Sequence, residues 1–133
     1  MLKCIGIIVN LNKDITLDVT RLLIELLEKR GIEPLLFGDV AEKLGRPVIN
    51  RATFFNRSNA IFVLGGDGTM LGVIAEASIK GKPVMGINMG RLGFLSEIEI
   101  SEINDALDVI AAGDYKIDQR MMLECRVHGK TFY

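Results

Sequence analysis

No apolar run in these 133 residues approaches the ~20 needed for a helix to cross a bilayer. The first apolar strand follows Met1-Leu2-Lys3 at once, so a signal peptide is not expected and a cytoplasmic setting is. Basic residues never run beyond two, and the formal net charge is −1, which argues against a nucleic-acid groove or an anionic membrane surface as partner. Cysteine is scarce too: Cys4 and Cys125 have no metal-ligand or redox-pair spacing, and both are expected to be reduced, buried packing residues. The single histidine, His128, falls at a predicted turn and is read as solvated, and without an orienting third group Cys125 is no nucleophile. Only three prolines, no repeat and no low-complexity tract leave an ordered domain. Gly-Lys-Ser/Thr is missing, as is any Gly-x-Gly-x-x-Gly after a strand, which excludes the P-loop and the dinucleotide fingerprint.

What remains is a chain with 49% hydrophobic residues and 14 glycines, enough for one good core with several tight strand-to-helix turns. Continuous runs of β-formers at 4–9, 33–37, 60–64 and 84–87 read as strands covered on both faces. Between them, Asp14 can cap a helix with Ile15, Leu22, Leu23, Leu26 and Leu27 on one face, ending at Gly31. Residues 69–79 read as a second helix, and Ser101 can cap a third that points Ile103, Ala106, Leu107 and Ile110 inward and stops at Gly113. The interval 38–59 is expected to be the least regular, with Phe54-Phe55 packing a linking turn. The fold class is therefore α/β: an open, doubly wound, mostly parallel Rossmann-like sheet with helices on both faces. Residues 1–114 form that domain; 115–133 read as a linker and first strands, with a hairpin turn at His128-Gly129-Lys130, leading to a β-rich domain absent from this chain.

Gly65-Gly66-Asp67-Gly68-Thr69 joins the central strand to the second helix. Its glycines let a phosphate approach the backbone, and Thr69 stands where an N-cap would, with the helix's free N–H groups facing the crevice. Asp67 has the wrong sign for holding phosphate. It either stabilises a tight turn or orients and deprotonates a hydroxyl, and both readings stand at this stage. Residues 88–95, Asn-Met-Gly-Arg-Leu-Gly-Phe-Leu, form a second glycine turn at the same edge of the sheet. There Phe94 can present a ring to a base or nicotinamide, or lie with Leu92 and Leu95 in the core. Arg91 and Arg120 could reach phosphate, with an ion pair to an acidic neighbour as the plainer expectation. Met121-Met122 are expected to fill a core.

Together, the motifs at 65–71 and 86–95 closely resemble the NAD kinases. The first is shared with diacylglycerol and sphingosine-type lipid kinases; the second, at this separation, is characteristic of NAD kinases, and Arg120 to Glu124 resembles the family's approach to its second domain. The resemblance implies phosphorylation of the adenosine 2′-hydroxyl of NAD with ATP as donor and a divalent metal such as Mg²⁺ accompanying the nucleotide; whether inorganic polyphosphate can replace ATP is open at this point. It implies Asp67 as the catalytic residue, with Gly65, Gly66, Gly68, Thr69, Asn88 and Phe94 binding substrate or nucleotide, and a homo-oligomer, dimer or tetramer, and it assigns no metal-ligating residue. Gly72 stands where many relatives carry a basic residue. The family's Asn-Glu/Asp motif and glycine-rich β domain have no counterpart before Tyr133, so the isolated 133 residues are expected to be inactive. A lipid kinase of the same superfamily and a non-catalytic nucleotide-binding module are the alternatives.

Overall fold

The computed structural model describes residues 1–15, 17–90 and 93–133. In chain order they form β1 (Cys4–Val9), α1 (Asp18–Lys29), β2 (Glu33–Leu35), α2 (Gly38–Lys43), α3 (Arg51–Arg57), β3 (Ala60–Gly65), α4 (Asp67–Ile79) and β4 (Val84–Asn88). Then come β5 (Ile98–Glu99), a 3-10 turn (Ile100–Glu102), α5 (Ile103–Ala111), β6 (Cys125–Val127) and β7 (Lys130–Phe132). The first five strands make one sheet, parallel throughout, in the order β2-β1-β3-β4-β5. β6 and β7 pair separately as an antiparallel hairpin.

Alternation along buried strands builds two cores, one per face. Ile5 and Ile7 of β1 with Phe62 and Leu64 of β3 meet Leu23 and Leu27 of α1 and Ile103 and Leu107 of α5. Ile61 and Val63 point the other way, onto Phe54 and Phe55 of α3 and Met70, Val73 and Ala77 of α4. All six residues of β3 are buried, as a central strand between two helical layers requires. The expected doubly wound sheet is what forms.

Local departures have local causes. The interval 38–59 is more regular than its composition suggested: α3 buries Phe54 and Phe55 completely, so these rings anchor a helix and do not merely pack a turn. Gly6 makes room for it, since a Cβ there would stand 2.5 Å from both Phe54 Cζ and Ser58 Oγ. In α1 the inward stripe is Thr20, Leu23, Ile24 and Leu27, whereas Ile15 and Leu22 are 80% and 41% exposed. Asp14 caps that helix from a turn ahead of its first residue. It lies buried, and its carboxylate accepts from Thr20 N at 2.8 Å, Thr20 Oγ1 at 2.7 Å and Val19 N at 3.3 Å. Ser101 does not cap; Glu99 and Glu102 form a reciprocal capping box in its place.

The C-terminal segment also corrects its reading. Residues 115–124 have no regular secondary structure, and Met121 and Cys125 are exposed, as is Met122, so none fills a core. The hairpin turn is as expected: His128 and Gly129 take φ of 48° and 75°, the paired left-handed conformation of a two-residue turn. Arg120 pairs with Asp118 at 3.0 Å, the plainer of its two expectations.

Polar ties gather at the amino end of the sheet. Asn59 Oδ1 accepts from the backbone N–H groups of Lys3 and Cys4, and Arg57 holds Glu33 at 2.8 Å. Burial, reinforced by the bond to Glu33, pushes the Cys4 thiol above its ordinary range; that same bond and Arg57 hold Glu33 below the usual carboxylate range. Arg30, just past α1, bonds to Asp108 and Asn104 of α5.

Candidate functional site

The sheet order places the fold's switch point between β1 and β3: β2 lies to one side of β1 and every later strand of the sheet to the other. Chains leaving such a pair diverge to opposite faces, and in open α/β sheets ligands bind beyond the carboxyl ends of that pair. β3 delivers Gly65 there, beside Asn88 at the end of β4, so the two glycine turns emerge side by side.

The helix after β3 begins earlier than expected. Gly66, in extended conformation, is the N-cap and makes no side-chain cap bond; Asp67 is the first helical residue and Thr69 the third, not the cap. The cause is Gly65: Thr69 folds back over it, and a Cβ at Gly65 would lie 2.6 Å from Thr69 Oγ1. Without side chains at 65 and 66 the strand turns into helix within one residue. The first-turn N–H groups, at the positive end of the helix dipole, are thereby presented at the crevice, and Gly68 has no neighbour near its Cα face.

Asp67 is half-buried and gripped by the second glycine turn. Phe94 N donates to its Oδ2 and Leu95 N to its Oδ1, both at 3.0 Å. Each oxygen takes one amide and keeps a lone pair, so the carboxylate is oriented yet still able to accept from a hydroxyl. A negative group in a helix's first turn is also stabilised by the dipole.

The second turn is shaped by its own side chains. Asn88 is buried; its Oδ1 accepts from Gly90 N at 3.1 Å and its Nδ2 donates to Gly90 O at 3.2 Å, so both polar ends serve the turn. Phe94 is 97% exposed, which rules out the core alternative for its ring, whereas Leu95 packs onto the α4 core. Arg91 and Leu92 lie outside the described residues.

One residue at this site was not found from the sequence. A Cβ placed on Gly66 would stand 3.3 Å from Lys13 Nζ, and one on Gly90 3.8 Å from it, so the ammonium lies close to both glycine turns. Its loop is well fixed: Asn10 N donates to Leu64 O, Asn10 O accepts from Lys13 N and Asp14 N, and Leu17 is held with φ 59° and a buried side chain. Among the described residues Lys13 has no ion-pair partner. The signal that could have found it was strand order, which puts the β1 loop beside the β3 loop. His128 and Cys125 belong to the separate hairpin. Among the described residues, no three His, Cys, Asp or Glu side chains gather to hold a metal.

A carboxylate, an ammonium and open helix amides around side-chain-free backbone can align a hydroxyl with a phosphoryl group. Comparisons with known proteins give the family and the fold. Residues 5–115 match the family model described as ATP-NAD kinase N-terminal domain. The chain is 38% identical over 128 residues to an NAD kinase of Thermoanaerobacter sp. (strain X514), covering 95% of this chain and 45% of that one. It is 41% identical over 126 residues to an NAD kinase of Heliobacterium modesticaldum, covering 92% and 44%. It thus spans less than half the length of these relatives. The crystal structure of yeast NADH kinase complexed with NADH shares the fold, with TM-score 0.70 and 22% identity over 84% of this chain and 38% of that one.

Proposed function

Because the chain belongs to the ATP-NAD kinase family, matching its N-terminal domain over residues 5–115, we propose that it carries the acceptor-activating part of an enzyme that phosphorylates the adenosine 2′-hydroxyl of NAD. ATP is the proposed donor, with inorganic polyphosphate as a chemically equivalent one. The observation that carries this reading is the Asp67 carboxylate, fastened by two amides at the mouth of the crevice with a lone pair free on each oxygen.

Asp67 accepts the hydrogen bond of the ribose hydroxyl and aims its oxygen at phosphorus. A carboxylate is a weak base toward a sugar hydroxyl, so the proton moves to it late, once the new oxygen–phosphorus bond is forming. Positioning and charge neutralisation therefore supply most of the rate. Lys13 is the cation this chain sets close to both glycine turns, and the first-turn amides of α4 add their dipole. Gly65, Gly66, Gly68 and Thr69 keep the phosphate side open, Asn88 holds the second turn in shape, and exposed Phe94 offers its ring to the dinucleotide. A divalent ion, proposed to be Mg²⁺, arrives with the donor's phosphates and offsets their charge; no step is assigned to residues of this chain through it. The reading extends to a cytoplasmic homo-oligomer, a dimer or tetramer, and the free thiols of Cys4 and Cys125 accord with the compartment.

The test uses the complete gene product with NAD, ATP and Mg²⁺, scored by an NADP-specific dehydrogenase. NADP should form, and Asp67→Asn should lower kcat by about 10²–10⁴-fold. Binding of NAD without turnover would favour the non-catalytic module. Phosphorylation of diacylglycerol or sphingosine in place of NAD would favour the lipid kinase.

A further inference from the structure

We infer that Gly93 is a positioning residue for Asp67, its missing side chain being the socket in which the carboxylate sits. This inference rests on the reading of Asp67 as the group that takes the acceptor's proton. A Cβ built on Gly93 overlaps Asp67 Oδ1 and stands 2.8 Å from Cγ and 2.9 Å from Oδ2. Its three nearest neighbours are thus one carboxylate, and none is backbone. The carboxylate lies against residues 93–95, where Phe94 N reaches Oδ2 and Leu95 N reaches Oδ1. Any side chain at 93 evicts the carboxylate and breaks both bonds together.

The loss stays local to the second glycine turn. Gly93 is half-buried, and no positive φ is among its features, so its backbone accepts alanine. The clash falls on the tip of a side chain that can swing toward solvent. Gly86, seven residues earlier, differs: a Cβ there stands 3.1 Å from Leu95 O and Ser96 Cα, and the backbone must give. One glycine is kept for where a carboxylate points, the other for how closely two segments pack. The donors to Asp67 are also the amides of Phe94 and its neighbour, so the group proposed to activate the acceptor fixes the backbone that presents the ring.

The experiment is a double-mutant cycle on Asp67→Asn and Gly93→Ala in the complete gene product, read by kcat, melting temperature and amide exchange. Gly93→Ala should lower kcat by roughly 10²-fold, the scale of an ångström-sized misplacement of a reacting group, with melting nearly unchanged. Added to Asp67→Asn it should cost less than about threefold more, because both act through one carboxylate. Phe94 and Leu95 amides should exchange faster in Gly93→Ala than in the wild type, whether or not NADP is formed. A fully active Gly93→Ala, multiplicative losses, unchanged exchange, or failure of that variant to fold would each overturn the inference. A wild type that makes no NADP overturns the proposed function instead, and amide exchange then decides the socket alone.

Discussion

Asp67 was legible as the chemical centre because a lone acid in a glycine frame has few reasons to be there. Its two amide donors were not, since they come from 27 and 28 residues further on and meet it only through the packing of β4 against β3. Lys13 was invisible for the same reason: nothing in Asn-Leu-Asn-Lys-Asp says that this loop reaches the glycine turns. The expected outcome for Lys13→Met is a roughly ten- to hundredfold drop in kcat/KM for ATP, the usual weight of a bond to a charged group, with an unchanged melting temperature. Steady-state kinetics at two salt concentrations checks it, because an exposed ammonium loses influence as ionic strength rises. Equal kinetics for variant and wild type would remove Lys13 from the site.

At the level of elements, the first four strands were read to within two residues because runs such as Ala-Ile-Phe-Val-Leu allow little else between two helical layers, while the two-residue β5 carries no such run and was missed. Helix starts were harder. Each depends on which group satisfies the first N–H donors, and three solutions occur here: a remote carboxylate at α1, bare glycine at α4 and a glutamate pair before α5. Sequence proximity favours a neighbouring Ser or Thr and misses the last two, whereas Asp14 was readable as a cap. Asp14 carries the larger stability consequence, being buried with three donors upon it. Asp14→Ala should destabilise by about 1–2 kcal/mol, measurable in urea unfolding, with an unchanged m-value. Because the same turn holds Lys13, KM for ATP should rise as well.

For the whole molecule, the doubly wound plan was readable from alternating strand and helix patterns, while strand order, and with it the location of the crevice, is a long-range outcome that no local pattern encodes. Nor did residues 115–133 show in advance how little they bury: Met121 is 86% exposed and Leu123 76%. A chain ending at Asp114 should therefore melt within about 3 °C of the 133-residue chain, a difference calorimetry resolves. A larger drop would assign the segment a part in the fold. The five-stranded unit is itself polarised. At one pole Asn59, Arg57–Glu33 and Arg30–Asp108 stitch strands and helices together, while the opposite pole carries bare turns and the acid. Substitution at the amino pole can thus shift heat tolerance and leave turnover alone, whereas at the other pole, as with Asp14, the two traits move together.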